Sequence, residues 1–336
     1  MKTLMLTTLL LSCGMLYTAD SDWTMPRTPD GRPDFNGVWA NNAATPLERP
    51  DALADKVELT QAEVAELQEN ADRIFSGEKD AAFGDDVFEA ALVGEDDPES
   101  YDPETGNYDD FWVVRRTFEN RTSLIVDPAN GKLPPLTEEG AARKAAYEAR
   151  VAEHPADSYT DRINSDRCIT YGVPFVYAGY NGYFQIVQTA EHVLIAQEMI
   201  HETRVIPVDE RPPLTEDIRQ WTGSPGGYWE GDSLVVNTRN FSPKSMFLDA
   251  RGNLELSERY TLIGPGTLEW RVTVSDDTTW SVPWTAVVYL KKTNEDIFEY
   301  ACHEGNYAME GILAGAREKE RQAKQADMAN AGGGSE

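Results

Sequence analysis

The second half of the chain is built from short runs of β-branched and aromatic residues cut by turns: 183–189, 192–199, 203–208, 233–238, 254–262, 267–274, 284–290 and 297–300. With no helical pattern between them, such runs predict antiparallel strands that close into a barrel or fold as a sandwich. The first half is different. Pro and Gly punctuate 27–34 so densely that the first strand has room only over 37–41. Thr60 followed by Glu63 is the pattern of a capping box, and Val64, Leu67 and Ala71 give the helix behind it one apolar face. Thr137 with Glu138 and Glu139 opens a second helix as far as about Glu153. Further strands are expected at 111–116 and 123–126, and a charged surface helix over 311–326 with a disordered tail at 327–336. Residues 76–110 are so rich in carboxylates that they read as a mobile acidic loop.

One apolar stretch serves another purpose. Lys2, the run 4–11 and the string Leu10-Leu11-Ser12-Cys13-Gly14 have the form of a signal peptide ending in a lipobox. This predicts signal residues 1–19, lipid attachment at Cys13 and a single β-rich domain over 20–326 whose N-terminal third is helix and loop. Cleavage after Ala19 is the competing site, but it sets bulky Tyr17 where a small residue is wanted. The run is shorter than the roughly 20 apolar residues that span a bilayer, and no later stretch reaches that length. Membrane contact is therefore expected only through the N-terminal lipid, with the protein in the periplasm, on the outer membrane or secreted.

Charge and cysteine narrow the partners. A net charge of −28 argues against nucleic acid, whose phosphates would be repelled, and its ordinary cause is solubility. Setting Cys13 aside leaves Cys168 and Cys302, which export would let pair; two free thiols are the alternative. There is no Walker sequence, Rossmann glycine fingerprint, HExxH or G-x-S-x-G elbow, so no cofactor is expected and a small molecule is the expected ligand.

The remaining chemistry lies in His201 beside Glu198 and Glu202, and in Cys302-His303-Glu304, each of which sets imidazole near carboxylate. A zinc site would need His201 and His303 to meet with a further carboxylate, and no metal is assigned. Asp102, Glu104, Asn107, Asp109 and Asp110 are oxygen donors of the type calcium takes, but the EF-hand spacing is missing and a solvated charge run explains them. Asn237, Arg239, Glu258, Arg259 and Arg271 stand inside strand patterns, where a closed sheet would turn some of them into a pocket with Tyr183 and Trp284.

Several strings resemble a broad family of exported bacterial proteins: Pro29-Asp30-Gly31-Arg32-Pro33-Asp34-Phe35-Asn36-Gly37-Val38-Trp39, Arg121-Thr122-Ser123-Leu124-Ile125-Val126-Asp127-Pro128, Trp229-Glu230-Gly231-Asp232-Ser233-Leu234-Val235-Val236 and Tyr300-Ala301-Cys302-His303-Glu304-Gly305-Asn306-Tyr307. That family brings no assigned activity. Gly37-Val38-Trp39 also resembles the opening of calycin-type barrels. The fold expected is thus mainly β, an antiparallel calycin-like barrel with two or three peripheral helices and long loops. The function expected is a cofactor-independent lyase, isomerase or hydrolase acting on a small apolar or aromatic molecule. His303 or His201 would be its base, helped by Glu304 or Glu258, and Asn237, Arg239, Arg271, Tyr183 and Trp284 would hold the substrate. The alternatives are a non-catalytic ligand-binding lipoprotein, and a carbohydrate-active enzyme using carboxylates such as Glu230 and Glu258.

Overall fold

Ten strands, all paired antiparallel, carry the fold in the computed structural model, which describes residues 23–75, 84–94, 114–177, 180, 182–209, 211 and 214–332. They are β1 (Gly37–Ala40), β2 (Ile125–Asp127), β3 (Tyr183–Gln188), β4 (His192–Gln197), β5 (Thr203–Pro207), β6 (Ser224–Glu230), β7 (Ser233–Arg239), β8 (Glu255–Gly264), β9 (Thr267–Ser275) and β10 (Trp284–Thr293). Their order is β5-β4-β3-β1-β10-β9-β8-β7-β6, with β2 sharing one edge of β10 with β1. The two ends of this path meet without strand hydrogen bonds, so the barrel is nearly closed. Side chains seal the join. A Cβ on Gly227 of β6 would stand 2.8 Å from Ile206 Cγ2 and 3.1 Å from Val208 Cγ1, so only glycine lets β6 lie this close to the β5 edge. The expected signal and lipid site at Cys13, the carboxylates of the acidic loop from Asp102 to Asp110, and 333–336 lie outside the described residues.

Alternation along the long strands sends one set of residues inward. Leu256, Glu258, Tyr260 and Leu262 of β8 face Leu268, Trp270, Val272 and Val274 of β9 and Trp284, Ala286, Val288 and Leu290 of β10, all of them buried. With Trp39, Phe184, Ile186, Ile195, Ile206 and Leu234 they fill the barrel with side chains.

Among the described residues, four α-helices lie outside. In α1 (Gln61–Ile74) the expected capping box forms, Thr60 accepting from the Glu63 amide while the Glu63 carboxylate accepts from the Thr60 amide. Helix α2 (Asp86–Val93) falls within the stretch read as acidic loop; Val87, Phe88 and Ala91 bury against Leu67, Ala71 and Phe118 to make a second apolar cluster. The carboxylate of Asp85 accepts from the Leu47 amide at 3.1 Å beside the buried Arg116, and burial pushes it up to about 6. Helix α3 (Glu138–Glu153) is capped by Thr137 as expected. Helix α4 (Tyr307–Gly332) is longer than expected and continues through 327–332, because its run of Ala, Lys, Gln and Met holds no breaker before the closing glycines. None of the helices among the described residues is long and apolar enough to cross a membrane.

Two expected strands do not form. Residues 114–116 stay irregular because the buried Arg116 guanidinium donates to the Ala43 carbonyl (2.8 and 3.1 Å) and ties this segment down through a side chain. Residues 297–300 form no strand and are held where His201 Nδ1 donates to the Tyr300 carbonyl (2.8 Å). Cys168 and Cys302 form the expected disulfide, with Cα atoms 5.7 Å apart.

Helix α3 has a single buried position, Gly140, and beside it Arg143 Nη2 donates to Thr279 Oγ1 at 2.6 Å. A Cβ on Gly140 would lie 2.6 Å from the Thr279 carbonyl oxygen and 3.1 Å from its Cα, atoms that cannot swing aside. Gly140→Ala is expected to destabilise the protein by about 1–3 kcal/mol through overpacking, even though alanine gains about 1 kcal/mol of helix propensity. Urea unfolding checks the sign, and a more stable variant would show that α3 is free to shift.

Candidate functional site

The barrel interior is a packed core. A void between Phe184, Gln197, Glu202, Arg204, Tyr260 and Trp270 measures about 20 Å³, room for a single water. Inside it Arg204 of β5 and Glu258 of β8 pair, with Arg204 Nη1 donating to Glu258 Oε1 at 2.9 Å and Nη2 to Thr238 Oγ1 at 3.0 Å. Glu258 also accepts from the Tyr260 hydroxyl (2.9 Å) and from Trp270 Nε1 (3.2 Å), so its oxygens are saturated by the core. Burial opposes the charge on Arg204, yet the facing carboxylate holds its guanidinium above the ordinary range. Burial and then Glu258 push the Tyr260 hydroxyl well up. Glu202, half-enclosed nearby, accepts from Thr170 Oγ1 at 2.7 Å, and burial raises its carboxyl.

A larger concavity lies on the outside of the barrel. An open groove of about 960 Å³ follows the seam where β5 and β6 meet and spreads over the outer face of β6 to β9. Register builds its floor: Gly226 pairs with Asn237, Asn237 with Ser257, and Ser257 with Thr273, so β7, β8 and β9 present one row of small polar side chains that ends at the bare backbone of Gly226. Arg239, Glu255 and Ser275 stand along one side of this row, and Tyr228 on β6 stands beyond its other side, 48% exposed. The opposite wall is Thr203, Val205 and Pro207 of β5 with His192 of β4, and Asp209, Arg211 and Leu214 close one end. Arg211 grips Asp209 with two donors at 2.6 Å and holds its carboxyl down at about 2, while its Nη2 lies 3.1 Å from His192 Nε2.

The residues expected to act together are dispersed. Asn237 and Arg239 do line the groove, on its outer face, because Val236 and Thr238 take the inward phase of β7. Glu258 is a core residue bound by four donors; it is no free base. Trp284 is fully buried, stacked on Phe247 and edge-on to Trp280, so no ligand reaches it. Arg271 and Arg259 project outward, Arg271 3.6 Å from Glu269 and Arg259 bound to Glu230. The carboxylates of Glu230 and Glu258 are thus on opposite faces of the sheet, since Glu230 is exposed and Glu258 is interior. Tyr183 is half-buried on β3 and outside the groove wall. His201 sits in a turn after β4 with its ring on the Tyr300 carbonyl, and His303 and Glu304 lie exposed in the turn between the disulfide and α4; none of the three lines the groove. Among the described residues no three His, Cys, Asp or Glu side chains converge as metal ligands. Sequence reasoning missed Gly226, Ser257, Thr273 and His192, whose signal was their alternation with the buried positions of the same strands.

No family model matches the chain, and no curated protein matches it. Among solved structures it is similar to a secretary abundant heat soluble (SAHS) protein from Ramazzottius varieornatus, at 16% sequence identity over 33% of this chain and 70% of that one, with a TM-score of 0.23. At that score the likeness is local, and the barrel described above rests on this chain's own strand pairing.

Proposed function

We propose that the chain is an exported, lipid-anchored protein that binds a small polar ligand in the β5–β6 groove. One observation carries this: the groove collects hydrogen-bonding side chains, while the acid–base candidates His201, His303, Glu304 and Glu258 all lie outside its lining. The side chains of Asn237, Arg239, Glu255 and Ser257 make no hydrogen bond or ion pair within the protein among the described residues, so a ligand would meet them without breaking an internal contact. Among the described residues, the void between Phe184, Arg204 and Trp270 in the interior has room for about one water. Export and anchoring are supported by the N-terminal run and by Cys13, and the disulfide suits an oxidising compartment.

Blocking the floor tests this. A side chain at Gly226 would project into open space, with nothing within 4 Å of its Cβ. Gly226→Trp is therefore expected to fold with stability within about 0.5 kcal/mol of wild type and to lose every ligand response that wild type shows in a thermal-shift and NMR screen of small polar compounds. Retained binding in the folded variant would place the ligand elsewhere and sink the proposal.

A further inference from the structure

We infer that the ligand of this groove is a neutral saccharide; this deepens the binding proposal and depends on it. The charge pattern is the first support. In a chain of net charge −28 the groove is locally balanced: Asp209 and Arg211 neutralise one another, and Arg204 faces Glu258. Arg239 and Glu255 remain as one cation and one anion, unpaired among the described residues. An anionic ligand is opposed by the field of the whole chain, and within the groove one cation and one anion side by side leave no net local charge to select a charged ligand of either sign.

The second support is the chemistry of the floor. Asn237 and Ser257 each donate and accept, which suits hydroxyl groups that do both, the Thr273 hydroxyl keeps one capacity beside its 2.9 Å bond with Thr285 Oγ1, and Arg239 and Glu255 add planar groups able to bridge neighbouring hydroxyls. Adjacent strands stand about 4.8 Å apart, so successive members of the row are spaced on the scale of a sugar ring. The exposed ring of Tyr228 beyond the row offers an apolar face with a polar tip, against which the C–H face of a pyranose packs. An apolar or aromatic ligand would instead leave these donors and acceptors stripped of water and unpaired, at a cost that grows with each one.

The test uses the mature chain with its disulfide intact. Cellotetraose, maltotetraose and xylotetraose would be titrated by calorimetry and by NMR of the Asn237 side-chain amide, beside a galacturonate tetramer and an apolar anilinonaphthalene dye. At least one neutral tetrasaccharide is expected to bind and to move the Asn237 amide. Asn237→Ala and Ser257→Ala, both on the exposed face and so neutral to folding, are each expected to weaken it about tenfold, the loss of one good hydrogen bond. Groove binding by only the galacturonate or only the dye, lost in Gly226→Trp, would overturn the saccharide assignment and leave the binding proposal standing. No response of the groove to any of the five probes would overturn the assignment, and the absence of any hit in the wider polar screen would remove the binding proposal as well.

Discussion

Glu258→Ala is expected to cost about 3–5 kcal/mol of folding stability, because it leaves the Arg204 guanidinium charged and unpaired in the barrel core. The loss extends beyond one ion pair. The Tyr260 hydroxyl and the Trp270 indole N–H lose the same acceptor, and neither has water to turn to in a void of about 20 Å³. Replacing both partners by apolar residues of similar size, Arg204→Met with Glu258→Leu, is expected to recover most of the loss, since a well-packed apolar pair needs no desolvation of charge. Urea unfolding of the wild type, the single variant and the double variant measures both steps. A single variant within about 1 kcal/mol of wild type would mean that Arg204 finds solvent through the adjoining seam, and that the core network is far looser than its hydrogen bonds imply.

Converting Cys168 and Cys302 to serine together is expected to cost about 5 kcal/mol, from the entropy that a cross-link over 134 residues removes from the unfolded chain. The bond encloses every strand from β3 to β10, so nearly the whole barrel refolds from a less restricted ensemble without it. It also anchors the segment that leads into α4, whose other ties are few: Asn306 Nδ2 donates to the Asp166 carbonyl at 2.9 Å, and Arg317 to the carbonyls of Ala156 and Asp157 at 3.1 and 2.9 Å. Hydrogen exchange in the double variant should accordingly speed up first in α4. Denaturation under non-reducing conditions reads the total, and a difference under about 1 kcal/mol would contradict the cross-link account.

Much of the local architecture was legible in the residues. The box of Thr60 and Glu63, the cap at Thr137 and the long β-rich runs announce their elements because a cap or a strand propensity depends on neighbours within a few positions. The disulfide was legible for another reason: compartment and counting left two cysteines and one pairing. What was missed depends on distant residues. Ser224-Pro225-Gly226-Gly227 lies outside the predicted strand runs, yet it begins strand β6, because β7 supplies its ladder and Ile206 and Val208 require a glycine beneath them. Val87 and Phe88 sit in an acidic stretch, yet they form a helix because Leu67 and Phe118 give them somewhere to bury.

The same division runs through the site. Residue types that could bind or react are plain in the string, as are charge and the barrel class, since each is a property of composition or short-range order. Facing is another matter. In β7 the run Leu234-Val235-Val236-Asn237-Thr238-Arg239 allows either phase, and shifting it by one residue would exchange Thr238 with Asn237 and Arg239 between core and groove. The choice is made by Tyr260, Glu258 and Leu256 across the ladder, and by an arginine on β5 that reaches Glu258 from 54 positions away. The groove exists because the first and last strands of the path meet without pairing, a closure that no local free energy encodes and that the packing of Ile206 and Val208 on Gly227 enforces.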